Sequence, residues 1–164
     1  MRAIVFTSNA GHTKAYAEIL AKETGLPVYS LSEAKEKLTQ GTELVYLGWL
    51  FANSVKDYTK CKKRYKISAV CAVGLCDTGT AVDAVRKRNK IPQDIPLFTM
   101  QGGMDKTKLN KGYLFGINML IKAVAKRKNP TEDDKRMLRL LCNDKNYVST
   151  ENTADFMAWY KKNK

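Results

Sequence analysis

The stretch Ser8-Asn9-Ala10-Gly11-His12-Thr13 joins an apolar run, residues 3–6, to a segment with helical spacing that begins near Lys14. Residues of these types can hold a phosphate. Gly11 lets the backbone turn closely, the hydroxyls of Ser8 and Thr13 can donate, and successive N–H groups at a helix start complete an anion cradle. The alternative is that Ser8, Asn9 and Thr13 only cap the helix. Neither GxGxxG nor GxxxxGK[ST] occurs, so no dinucleotide fingerprint or P-loop is supported.

Little else in the sequence has the makings of a reactive centre. No nucleophilic dyad, paired-carboxylate motif or metal cluster is visible, so no catalytic or metal-ligating residue is assigned. His12, the single histidine, has no carboxylate beside it in sequence and is expected to line the phosphate rather than to act as an acid or base. The cysteines at 61, 71, 76 and 142 form no CxxC pair and no zinc pattern with His12. They are expected as reduced thiols, with Cys71 and Cys142 packed in the core and Cys76 a small loop residue.

The elements that must position this loop follow from periodicity. Apolar, strand-like runs at 3–6, 27–31, 43–47, 67–73 and 95–100 alternate with helical spacing at 14–24, 54–65 and 80–89. Gly25 and Pro27 end the first helix, and Gly48 and Gly74 end the third and fourth strands. Such alternation predicts right-handed βαβ crossovers and a parallel sheet, and the near-continuous apolar strands predict helices on both faces. After residue 104 the pattern is helical alone, at 113–125, from Pro130-Thr131-Glu132 to about 141, and at 153–160. A length of 164 residues, 44% of them hydrophobic, suits one α/β domain with a C-terminal helical extension from about residue 129.

In an open parallel sheet, ligands bind beyond the carboxyl ends of the strands. Four loops fall there, at 7–13, 48–54, 74–80 and 101–105, and each carries glycine or small polar residues. Asp77 has two readings, one at the ligand edge and one as a cap for the helix near Thr80.

Ser8 to Thr13 resembles the flavodoxin phosphate loop, Ser/Thr-x-Thr-Gly-x-Thr, with Ala10 in place of the middle threonine. Five strands in this order, without a long insertion in the fifth, are similar to short-chain flavodoxins. Residues 96–138 resemble the flavodoxin-domain branch that includes flavodoxin-type protoporphyrinogen oxidases, although the arginine and tyrosine associated with the oxidases are absent after strand three. The resemblance implies a flavodoxin-like fold with a five-stranded parallel sheet and bound FMN. Ser8, Asn9, Ala10, Gly11, His12 and Thr13 would then hold the 5′-phosphate. The loop Gly48-Trp49-Leu50-Phe51-Ala52-Asn53 would cover one flavin face, with Trp49 and Phe51 offering aromatic surface or else packing in the core. Gly74, Leu75, Cys76 and Asp77 would approach the pyrimidine edge, and Gln101, Gly102 and Gly103 would close the site.

The implied function is electron transfer to or from a redox protein partner, the hard chemistry belonging to the cofactor. The alternatives are a flavin-dependent oxidase or reductase of a small molecule, porphyrinogen oxidation included, and a basic nucleic-acid-binding module. The net charge of +13 admits an acidic partner or an anionic membrane surface. Nucleic acid is not expected, because no binding motif with interleaved aromatics is present. Lysines and arginines at 60–66, 86–90 and 122–128 are expected at helix carboxyl ends, on a basic pole opposite the ligand edge. Those clusters either complement the helix dipoles and aid solubility or form an attachment surface for anionic lipid or an acidic partner, and Lys14, Lys56, Lys106, Lys108 and Lys111, nearer the flavin, are a separate docking candidate. Without an apolar run of membrane-spanning length or a signal-like N-terminus, the expected location is cytoplasmic.

Overall fold

A computed structural model describes residues 1–143 and 145–164. Its strands are β1 (Ala3–Thr7), β2 (Val28–Ser30), β3 (Glu43–Phe51), β4 (Ser54–Val55), β5 (Lys66–Gly74) and β6 (Leu97–Gln101). All but β4 run parallel, in the order β2-β1-β3-β5-β6, and β4 pairs antiparallel with β3. The helices are α1 (His12–Thr24), α2 (Leu31–Lys37), α3 (Tyr58–Lys62), α4 (Val82–Asn89), α5 (Lys111–Ala125), α6 (Glu132–Cys142) and α7 (Ala154–Asn163). The protein is thus an α/β structure built on a parallel sheet.

Strand alternation divides the core in two. Val5, Tyr46 and Val70 face one side, where Ala34 of α2, Tyr58 of α3 and Val85 of α4 pack on them. Ile4, Leu47 and Cys71 face the other, against Tyr16 and Leu20 of α1 and Phe156 and Tyr160 of α7. Each large side chain buried this way contributes about 1.5–3 kcal/mol. Both faces are therefore closed to water, as the continuous apolar strands require.

Three elements differ from expectation. β3 does not stop at residue 47: it continues through Gly48 to Phe51, turns at Ala52-Asn53 and returns as β4. Gly48 permits this, since a Cβ there would lie 2.5 Å from Val55 Cγ1 and 2.9 Å from the Lys56 carbonyl oxygen. Ala52 and Asn53 both have positive φ, 46° and 61°, the pattern of a tight two-residue hairpin. The helix expected at 54–65 accordingly shrinks to α3. α2 was not expected, and a reciprocal cap starts it: Ser30 Oγ accepts from Glu33 N–H, and the Glu33 carboxylate accepts from Ser30 N–H at 2.8 Å.

The C-terminal helices also take separate parts. α7 packs on the sheet, whereas neither core cluster contains a residue of α5 or α6. Those two helices form a hairpin over the carboxyl edge of the sheet, so the lysines at 122–128 belong to that hairpin rather than to the opposite pole. Cys142 ends α6 and is exposed, which corrects its expected place in the core; its neighbour Leu141 takes the buried position. Cys61 and Cys71 are buried, which pushes the Cys61 thiol up to about 12 and raises that of Cys71 as well. Among the described residues, no helix is long and apolar enough to cross a membrane.

Candidate functional site

The four loops at the carboxyl edge and the α5–α6 hairpin enclose a cleft of about 250 Å³. Asn9, Ala10, His12 and Thr13 line it from the loop after β1, and Gly74, Leu75 and Cys76 from the loop after β5. Trp49, Leu50, Phe51, Ala52 and Asn53 enter from the β3–β4 hairpin, and Gly103 from the loop after β6. Ser8, Gly11, Asp77, Gln101 and Gly102 do not line the cleft. Convergence of these loops follows from topology, because parallel strands end on the same edge.

Capping does not account for the first loop. Gly11 occupies the N-cap of α1 with φ 99°, and no side chain caps that helix. The first helical bond runs from Ala15 N–H to the Gly11 carbonyl, at 2.9 Å, leaving the preceding N–H groups outside the ladder. Asn9 donates instead to the Lys108 carbonyl at 3.1 Å. Thr13 is buried. Among the described residues, Ser8 Oγ is the buried side-chain polar atom with no hydrogen-bond partner. A buried hydroxyl left unpaired costs about 1–3 kcal/mol.

Two charged groups flank this loop. Lys108 Nζ lies 3.4 Å from the Ala10 carbonyl oxygen and 3.3 Å from the Asp105 carboxylate. Lys108, a docking candidate by its sequence position, stands beside a loop 98 positions away in the chain. His12 has its pKa lowered, chiefly by burial and further by Lys108, with Asp105 opposing. Burial and the neighbouring ammonium thus both favour the neutral imidazole.

The opposite wall is aromatic and aliphatic. Trp49 and Phe51 each meet Tyr113 of α5 edge-on, with ring centroids 5.0 and 4.8 Å apart. Tyr113 was not expected here, and only the fold brings α5 to the hairpin. Lys56 Nζ donates to Tyr113 Oη at 2.9 Å, which raises the lysine pKa and ties it to the aromatic cluster. Ile117, Leu120, Met137 and Leu141 complete the wall from α5 and α6.

Asp77, Gln101 and Gly102, outside the cleft, have other partners. Asp77 takes an ion pair with Arg136 of α6, while its backbone carbonyl accepts from the Thr80 hydroxyl at 2.6 Å. α4 starts at Ala81 without a side-chain cap, so Asp77 is no cap either. Gln101 donates from Nε2 to the Leu75 carbonyl at 3.2 Å, and its own carbonyl accepts from Tyr16 Oη. Gly102 N–H donates to the Gly74 carbonyl at 2.7 Å, holding two loops together. Cys76 is half-buried, and burial is the main cause of its raised thiol pKa.

No protein-family model, curated protein or solved structure matches the chain.

Proposed function

We propose that this is a flavodoxin-like protein that binds FMN and passes electrons to or from a redox protein partner. The observation that carries the reading is the unpaired Ser8 hydroxyl beside the uncapped start of α1. The strand order β2-β1-β3-β5-β6 supports it, because that order reverses direction at β1 and β3, where doubly wound sheets of this kind take FMN. Thr13, which lines the cleft, and the first N–H groups of α1 would hold the phosphate, with the Lys108 ammonium close by; Ser8 Oγ, which does not line the cleft, would join them only if its loop shifts on binding. Trp49 and Phe51 would border the ring system, and backbone groups of Gly74, Leu75 and Cys76 its polar edge. Bound FMN would supply electron or hydride transfer, and the loops would govern its access and potential.

Titration of the purified protein with FMN and with riboflavin tests this directly. Charge-assisted bonds to a phosphate contribute about 1.5–3 kcal/mol each, so FMN should bind at least about tenfold more tightly. Equal affinities would remove the phosphate site, since riboflavin has no phosphate.

A second reading is favoured by one specific feature, the aliphatic wall that α5 and α6 add opposite the loops. That wall suits a flavin-dependent oxidase or reductase of an apolar small molecule, because a carrier needs no substrate pocket beside its cofactor. Turnover of small apolar substrates without a protein partner would place this reading first.

A further inference from the structure

Along α5, Lys111, Phe115, Met119 and Lys122 are separated by four, four and three residues, and Lys126 at the helix end is four further on. That spacing puts all five on one side of the helix. The buried residues Ile117 and Val124 lie on the other side. Phe115 is 67% exposed and Met119 56% exposed, although both are large and apolar. Leu120, 45% exposed, carries this surface round to the rim of the cleft, which it also lines. Single exposed apolar residues need no explanation; a contiguous set with lysines at both ends does.

Along α5 itself the charge is of one sign; the next acids along the chain, Glu132, Asp133 and Asp134, open α6, and Asp134 is paired with Arg127 and Glu132 with Lys135. From Lys106 to Thr131 the chain contains no aspartate or glutamate, and Lys111, Lys122, Lys126 and Lys128 are all exposed. We infer that this face of α5 docks on an anionic membrane surface. Phe115 and Met119 enter the boundary between headgroups and acyl chains, and the lysines reach back along their methylene stems to acidic headgroups. A second copy of the chain is a poor occupant, because each molecule carries +13 and the two faces would meet lysine to lysine. The helix is too short to span a bilayer, so it lies in the plane of the surface. Docked this way, the rim at Leu120 is held against lipid. The inference goes beyond the flavin reading and holds whatever fills the cleft.

Co-sedimentation with vesicles of phosphatidylcholine alone, and of phosphatidylcholine mixed with phosphatidylglycerol, tests it. The protein should bind the mixed vesicles and not the neutral ones. The double variant Phe115→Ser with Met119→Ser should lose at least about tenfold in affinity, since two apolar side chains no longer leave water. Both positions are exposed, and far-ultraviolet circular dichroism should be unchanged. The variant Phe115→Trp provides a second measurement: its added emission, over that of Trp49 and Trp159, should shift to the blue on mixed vesicles. Failure to bind mixed vesicles would overturn the inference. So would undiminished binding by the double serine variant, which would show adsorption by charge alone. Concentration-dependent dimerisation abolished by the same variant would assign the face to a second copy instead.

Discussion

At the residue scale, the first loop poses a question of pairing that substitution can answer. If Ser8 and Thr13 hydroxyls bond a phosphate, Ser8→Ala and Thr13→Ala should each weaken FMN binding by about 1–3 kcal/mol and leave riboflavin binding unchanged. Ser8→Ala should also stabilise the protein without ligand, because it removes an unpaired buried hydroxyl. His12 gives an independent readout. Its ordinary value is 6.5 and burial lowers it in the folded protein, so between the two values the unfolded chain binds more protons. The stability it contributes is fully present above pH 6.5 and is lost as pH falls through the folded pKa. A phosphate beside the ring favours the imidazolium, so FMN should raise the His12 midpoint in an NMR titration and riboflavin should not. The place of the Ser8–Thr13 loop, between β1 and α1 at the carboxyl edge of the sheet, was legible in the sequence because its residues are contiguous. Lys108 and Tyr113 were not, because each reaches the site across a long stretch of chain and neither sits in a motif.

Among the elements, the β3–β4 hairpin departs furthest from its sequence pattern. Gly48 reads as a strand end, and the run from Ser54 to Tyr65 has enough helical spacing to suggest a helix, yet the strand passes through the glycine and folds back. Tertiary partners decide this. Asn89 of α4 accepts from Val55 N–H at 2.8 Å and donates to the Asn53 carbonyl at 2.8 Å, so one side chain pins both sides of the turn. Asn89→Ala should therefore cost about 1–3 kcal/mol, mostly through the N–H of buried Val55 left without an acceptor. Urea denaturation measures the loss, and Trp49 fluorescence should report it because that ring sits on the same hairpin. The parallel strands were legible because burial on both faces imposes a continuous apolar run. The division of labour among α5, α6 and α7 was not, since all three have helical periodicity and only α7 packs into a sheet core cluster, with Phe156 and Trp159 against Phe98.

For the molecule as a whole, the charge map changes once the side chains are placed. Lys56 is held by Tyr113, and Lys108 by Asp105, so reversing either would disturb the site as well as its field. Arg86 donates to the Ile95 carbonyl at 3.0 Å and belongs to the fold. The cleaner comparison is Lys106→Glu with Lys111→Glu, beside the cleft, against Lys87→Glu with Arg88→Glu on α4. If electron transfer uses an acidic protein partner, the first pair should slow it several-fold at low salt and the second much less, with the difference fading once screening falls to about 8 Å. Stopped-flow measurement across a salt series checks this, and equal slowing by both pairs would show that net charge alone governs the encounter. A different property follows from the separation of the α5–α6 hairpin from both core clusters. What holds it down is the set of contacts at the cleft, Tyr113 on Trp49 and Phe51 and Arg136 on Asp77, so its amides should exchange with deuterium faster than those of β3 and β5, and equal protection would show that it opens only with the sheet.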